Sequence, residues 1–544
     1  MEQTREASNK HFSRDTFRKN IMEDFFNGYL SFHPLFASRF GYREYDGHLV
    51  NHYSKDHVKA KQYFYRTFLK RLEDCKKKTL YHHVLLYHLK NNLKHDTFPF
   101  FYMALSKSGT IFQTLHSMVS SDVIPIRTNH DLENLIRRYE QAILIVQSQK
   151  KVLEEGISKK ITVPKIIVGI AIAQIKSLEK SSFQLPKTKT KLKYGLKLQY
   201  EALIEKKVRP ELVAFRKFLE LTYLPAARSS IGLCGLPNGK KMYAYLVRKH
   251  TTLPSISVKS IFEFGQSEVA RIEAEMKAVM GEIGYKGSSL GSFLKKIYKD
   301  KKFLYSSGTE LIKAFRQCRR KIQKTVLPMY FHFDVSSDYE IREIPKQKAK
   351  YTTGAYYNLP SINTGKKGCF YINTFHRNSN PSFLLESLLL HEGNPGHHFQ
   401  NMRAIDLKLP KFLIYLHESG PSEGWALYAE TLGDYKDPYS RFGKLIHEML
   451  RAVRLVIDTG IHRYGWSFEK SLDYLRSKTG MSYFDARNEI RRYIANPGQA
   501  VTYKLGERYI LSLRDAFLAD NKGTLKDFHS FLLDKGPVPF VFLG

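Results

Sequence analysis

Three histidines and a carboxylate fall within eight residues at His391-Glu392-Gly393-Asn394-Pro395-Gly396-His397-His398, behind the apolar Leu388-Leu389-Leu390. Imidazole and carboxylate are the ligand types that hydrolytic zinc sites use, and an acid beside a ligand can take a proton from the water that zinc activates. His391 is therefore the expected first ligand and Glu392 the expected general base. The usual pattern places a second histidine four residues after the first, on the same helix face. Here that position is Pro395. On an ideal helix His397 points about 240° away from His391, and His398 lies about 10 Å further along the axis. Neither shares an ion with His391 on a straight helix, because Zn–N bonds are about 2.0–2.1 Å. The chain must break between them, and Gly393, Pro395 and Gly396 supply the break. His397 is the favoured second ligand, with His398 as the alternative. The bland reading is a helix end with surface histidines, and the density of the cluster weighs against it.

A third ligand is expected from the following helix, in Ser422-Glu423-Gly424-Trp425-Ala426-Leu427-Tyr428-Ala429-Glu430. Gly420 and Pro421 break the chain, Ser422 is the expected N-cap, and Glu423 then sits in the first turn. Alone, Glu423 reads as compensation of the helix dipole. Beside the histidine cluster it reads as the third ligand, with Glu430 behind it orienting a ligand histidine. His462, after Gly460, is the expected second donor to a substrate carbonyl or oxyanion, against the plainer reading of a helix cap.

These residues carry a resemblance. His391 to Gln400 and Ser422 to Glu430 resemble the bacterial family catalogued as domain of unknown function 885. Further matching segments are Gly232 to Tyr245, Tyr356-Tyr357 to Asn373, Asp458-Thr459-Gly460-Ile461-His462, Pro497 to Gly506 and Phe528-His529. The resemblance covers roughly residues 15–540 and is most specific after about residue 350. It implies a zinc metallopeptidase distantly similar to thimet oligopeptidase and carboxypeptidase Taq, with a Zn²⁺ cofactor and a peptide substrate. It also implies a helical fold with a small sheet beside the metal, whose edge strand binds substrate backbone by strand addition. That role is expected of residues 369–373, with a core strand that binds no ligand as the equal alternative, and with Tyr371 and Tyr357 as substrate contacts. Tyr503 matches the late-helix tyrosine that donates to the oxyanion. Arg492, in the family's Arg-Tyr pair, is expected to hold a substrate carboxylate.

The 544 residues exceed one typical core, so an N-terminal helical half (1–230) and a catalytic half (231–544) are expected, possible also as one continuous domain. The chain is 42% hydrophobic and 13% aromatic, enough to bury a core. Its four cysteines are far apart and signal neither a disulfide framework nor a zinc knuckle. The polar start Met1 to Glu6 carries no secretory signal, and the longest aliphatic run, Ile166 to Ala173, is too short for a transmembrane segment. A cytoplasmic protein is expected. The 87 basic and 52 acidic residues give a net charge of +35, a field that attracts polyanions. No nucleic-acid motif accompanies the charge. The window 381–440 runs the other way, with eight acidic and four basic residues, as suits a cation site. Two other classes stay open: a polyanion-binding (RNA-binding) protein with a structural metal, and a metal-dependent hydrolase of a non-peptide amide or ester.

The elements around the motifs are mainly α. Phe12, Phe17, Ile21, Phe25 and Leu30 recur at roughly helical spacing, as do apolar residues in 58–72, 81–93, 132–152 and 257–283. Residues 192–219 read as a long helix that Pro210 kinks or divides. Residues 329–335 and 339–344 read as short strands or extended segments. Residues 445–459, 482–493 and 499–513 read as the later helices.

Overall fold

The computed structural model describes residues 20–544 except 107–108, 122, 189–190, 345–348, 350–353 and 376. Phe12 and Phe17 lie outside the described residues. The rest of that first helix, Ile21–Phe32, starts under Asn20, whose side chain accepts from the N–H groups of Met22 and Glu23. Lys55–Glu73, Leu80–His95 and Asn129–Ser158 follow as helices, each burying one apolar stripe. Pro210 does not divide its helix. The chain runs from Tyr194 to Phe218 through an i→i+5 turn at Ile204–Val208, which accommodates the N–H that proline lacks.

Side chains from 104–227 join those of 269–303 and 383–500 in one apolar core. Those from 25–89 join 311–372, 385–432 and 510–543 in another. Each core draws on both sides of residue 230, so the expected boundary there does not separate two cores. Burial of this kind, at about 25 cal/mol per Å² of apolar surface, favours packing the two halves together.

The fold is mainly helical with one three-stranded sheet, β1 (Glu340–Glu343), β2 (Ala355–Asn358) and β3 (Cys369–Ile372). The sheet corrects one expectation. β3 lies in the centre, parallel to β1 and antiparallel to β2, with Phe370 opposite both Ile341 and Tyr357. Phe370 and Ile372 are wholly buried. Both backbone edges of β3 are therefore taken, and 369–373 cannot accept an added strand. The outer side of β2 pairs with no other strand among the described residues. Residues 329–335 form no strand, though the chain is extended at Phe331. Helix Gly308–Tyr330 continues through Pro328, because Val326 and Leu327 extend its buried face.

Six helices carry the candidate site: α1 (Leu385–Glu392), α2 (His397–Asp406), α3 (Ser419–Glu430), α4 (Pro438–Tyr464), α5 (Tyr483–Ala495) and α6 (Thr502–Ala519). α3 starts at Ser419 rather than after Ser422. Gly420 and Pro421 sit in its first turn, where N–H groups lack intrahelical partners and proline costs little. α4 is longer than 445–459 and takes Gly460 and His462 into its interior. Every residue from Arg451 to His462 is buried, so packing overrides the helix preference of glycine. α3 and α6 meet backbone to backbone at Gly424 and Gly506. A Cβ on Gly424 would lie 2.6 Å from the Gly506 Cα. This contact brings Glu423 and Tyr503 to the same place. Among the described residues no helix is long and apolar enough to cross a membrane.

Candidate metal centre

α1 ends on Glu392 and α2 begins on His397, so Gly393 to Gly396 turn the chain between two imidazoles. Gly396 passes so close to α1 that a Cβ there would sit 1.9 Å from the His391 carbonyl oxygen. Glycine is required by that approach. From α3, Trp425 donates its Nε1–H to the Pro395 carbonyl at 2.8 Å and pins the turn.

The turn and α3 bring His391, His397 and Glu423 together. One ligand atom from each lies within 4.8 Å of the others. Oε2 of Glu423 is 3.6 Å from Nε2 of His391 and 3.3 Å from Nε2 of His397. Two ligands about 2.0–2.1 Å from a tetrahedral zinc ion are about 3.3–3.4 Å apart. The spacing is that of ligands around an ion. Oε2 of Glu423 is also buried without a hydrogen-bonding partner. An orphaned buried carboxylate oxygen is costly, and a cation would relieve it. The residues present fit zinc.

The surroundings complete the arrangement. Nδ1 of His391 lies 2.8 Å from Oε1 of Glu430, and Arg451 approaches the same oxygen at 3.2 Å. These are ion-pair approaches rather than aligned hydrogen bonds. Glu430 occupies Nδ1 and leaves Nε2 to a ligand, the usual carboxylate–histidine relation at metal sites. Burial pushes His391 down, but Glu423 and Glu430 outweigh it and hold the imidazole up at about 9. Burial pushes Glu423 up, yet the two histidines hold its carboxyl well below the usual range. A protonated His391 facing a carboxylate is the proton-loaded counterpart of a cation site, since metal binding displaces ligand protons.

The alternative ligand, His398, faces elsewhere. Its Nε2 lies 2.8 Å from the Ser337 carbonyl and its Nδ1 2.8 Å from the Tyr357 hydroxyl. Burial lowers its pKa to about 4. Tyr357 therefore spends its hydroxyl on His398 rather than on a substrate. Tyr371 stacks on Tyr356 with ring centroids 5.2 Å apart and lines a different pocket, of about 450 Å³, with Arg39 and Asn358. His462 is not brought to the cluster as a donor. Its Nδ1 accepts from the Leu233 N–H and its Nε2 meets the Tyr493 carbonyl, each at 3.1 Å. Both ring nitrogens are spent on backbone, and burial lowers the pKa to about 3.

Tyr503 does reach the site. Its ring lies 6.2 Å from that of His391 and nearly parallel to it. Burial, with the charge of Glu423, raises its phenol pKa. Next to it on α6, Lys504 binds Glu448 at 2.7 Å and Glu507 at 2.6 Å, fixing α6 against α4. Glu392 lines a cleft of about 590 Å³ together with Gly354 and Ala355 of the β2 end, Leu388, Arg451 and Arg454. Arg492 divides its guanidinium between Gln499 and Glu489. Arg451, Arg454 and Glu489 are functional-site residues that the motifs did not single out. The available signal was two arginines three apart inside the apolar run of α4.

A mainly helical protein with a His-His-Glu cluster beside a cleft is the class that fold and geometry define. The chain belongs to the family described as bacterial protein of unknown function (DUF885), whose model matches residues 34–544. It is similar to the crystal structure of the putative lipoprotein from Colwellia psychrerythraea, with 26% identity, a TM-score of 0.86, and coverage of 96% of this chain and 97% of that one. The structure of a putative lipoprotein of unknown function from Shewanella oneidensis has 15% identity, a TM-score of 0.74, and coverage of 96% and 98%. It shares the fold. No curated protein matches the chain.

Proposed function

We propose that this protein is a zinc-dependent peptidase of helical zinc-peptidase architecture, with the cleft as its substrate channel. The observation that carries the reading is the convergence of His391, His397 and Glu423 on one point, with Glu430 behind and Glu392 on the wall of the adjoining cleft. Zinc in such a set supplies Lewis acidity, polarising a carbonyl and lowering the pKa of water at its open position. Glu392 accepts the proton of the attacking water and passes it to the leaving amine. Tyr503 donates its hydroxyl to the developing oxyanion, a contribution of about 3–4 kcal/mol for one donor in other enzymes. Tyr503 needs its proton for this, and its raised pKa keeps it. The outer side of β2, which begins at the cleft and pairs with no other strand among the described residues, offers N–H and C=O groups to an extended peptide. That edge favours a peptide over a small ester. Tyr371 and Arg492 then support the site from outside the reacting centre.

The test is metal analysis of the purified protein, followed by digestion of a peptide mixture read by mass spectrometry. Glu392→Gln is expected to retain zinc and to lose cleavage by several orders of magnitude. Full activity in that variant refutes the general-base role. Cytoplasmic location belongs to the same proposal, against the lipoprotein descriptions of the two solved structures, and cell fractionation decides it.

A further inference from the structure

The wall of the cleft holds two arginines whose hydrogen-bonding capacity is incomplete. Arg451 and Arg454 line it and are only 6% and 7% exposed. Arg451 pairs with Glu430 and donates to the His447 carbonyl at 3.2 Å. Arg454 donates Nη2–H to Glu489 at 3.1 Å and Nε–H to the Tyr493 hydroxyl at 3.3 Å. The same Glu489 also receives Arg492 at 3.1 Å. One carboxylate thus serves two guanidinium groups. Of the other acids of the wall, Asp485 accepts from the Ser482 hydroxyl, and Glu392 lines the same cleft. Nη1 of Arg454 and Nε of Arg451 are buried donors with no acceptor. Buried guanidinium N–H groups are satisfied best by a carboxylate, which they bind in a fork.

Distance relates these donors to the metal centre. The Arg454 guanidinium lies 4.5 Å from the centre of the Tyr503 ring, and that ring lies 6.2 Å from the His391 ring. Laid end to end these separations span about three residues of extended chain, at ~3.3 Å each. We infer that Arg454, with Arg451 beside it, receives the free C-terminal carboxylate of a peptide whose scissile bond, one or two residues away, lies at the His391–His397–Glu423 cluster. The protein is then a carboxypeptidase. In the reaction the water oxygen bonds to the scissile carbonyl carbon, the C–N bond breaks, and the leaving amine takes the proton. An internal peptide segment brings no anion and leaves the buried donors unpaired.

This inference rests on the zinc-peptidase reading, and matched peptides separate the two. A hexapeptide acid and its C-terminal amide are incubated with the zinc-loaded protein, and products are followed by mass spectrometry. The acid is expected to lose one or two residues, with the amide slower by about 100-fold, the effect of losing a charged hydrogen-bonded pair. Equal cleavage of both, or cutting inside both, overturns the carboxylate site and leaves the peptidase reading intact. Cleavage of neither overturns both. An amide ending in glutamate that is cut as fast as the acid places an acidic side chain on Arg454 and overturns carboxypeptidase action. Binding gives a readout without catalysis: zinc-stripped protein should bind a fluorescent peptide acid at least about 10-fold tighter than its amide. Arg454→Lys keeps the charge without the fork. It is expected to raise KM for the acid more than it lowers kcat and to shrink the acid-to-amide ratio. An unchanged ratio in a variant with a normal melting curve overturns the assignment to Arg454.

Discussion

Glu430→Gln isolates the residue behind His391, the proposed metal ligand, because the amide keeps the shape and removes the charge. Glu430 is 1% exposed, and its Oε1 stands 2.8 Å from His391 Nδ1 and 3.2 Å from Arg451. Two effects follow. The ring of His391 loses the anion that holds its tautomer and makes Nε2 a better ligand. Loss of such a partner typically weakens metal binding by about 10- to 100-fold, or about 1.4–2.8 kcal/mol. Arg451 also becomes a buried cation with no anion. Breaking a buried pair costs about 3–5 kcal/mol. The low end applies here, because Arg451 keeps its bond to the His447 carbonyl and the glutamine oxygen can still accept. The assay is zinc competition against a chelator of known affinity, with urea unfolding of the metal-free protein measured alongside. The expected result is weaker zinc binding and a less stable apoprotein. Zinc affinity equal to the wild type in a variant that folds would refute the account of Glu430 as the residue that orients His391.

Three further outcomes follow from particular contacts. Gly424→Ala places a Cβ 2.6 Å from the Gly506 Cα, an overpacking of about 1–3 kcal/mol. It should lower kcat/KM by moving Tyr503 away from Glu423, and an unaltered kcat/KM with a lowered melting temperature counts against that coupling. Burial raises the Asp458 carboxyl to about 7, against the Tyr243 hydroxyl and the Gly498 N–H that bond to it. The native protein then keeps a proton that the unfolded chain releases near pH 4. Stability should fall as pH rises from about 4 to 7 and level off above, by at most about 4 kcal/mol from this group. Asp458→Asn should flatten that slope in urea unfolding, and parallel slopes in the two proteins reject the assignment. His462→Gln should destabilise by about 1–3 kcal/mol through its two lost backbone bonds, and kcat on any peptide should stay near the wild-type value once the variant is folded.

The clustering of His391, His397 and Glu423 is legible in the sequence because each residue carries its own local signal. Pro395 and the two flanking glycines announce a turn, and once the turn is granted His391 and His397 have a way to face one ion. Glu423 and Glu430 lie seven apart on one helix, so one points at the cluster whenever the other does. Those inferences use only spacing. The failures all concern what a segment meets from far away. His462 looks like an end-of-helix histidine after Gly460, yet α4 runs on because the protein surrounds it on every side. The run Cys369-Phe370-Tyr371-Ile372 reads correctly as a strand. Its place in the sheet depends on β1 and β2, from two other stretches of chain, and strand propensity is blind to that order.

Arg454 marks the same limit from the functional side. Within α4 it is one more charged residue among apolar ones, and Arg492 has the better motif. The structure separates them by their partners. Arg492 gives both arms of its guanidinium to Gln499 and Glu489 and is fully employed, whereas Arg454 lines the cleft with a donor left over. A carboxylate-binding role therefore passes to the arginine whose hydrogen-bonding capacity is incomplete, a property of the assembled helices α4, α5 and α6 that no single segment contains. An Arg492→Lys variant should accordingly act through Glu489 and Gln499, lowering stability while keeping the preference for peptide acids over amides. Loss of that preference with unchanged stability would return the role to Arg492.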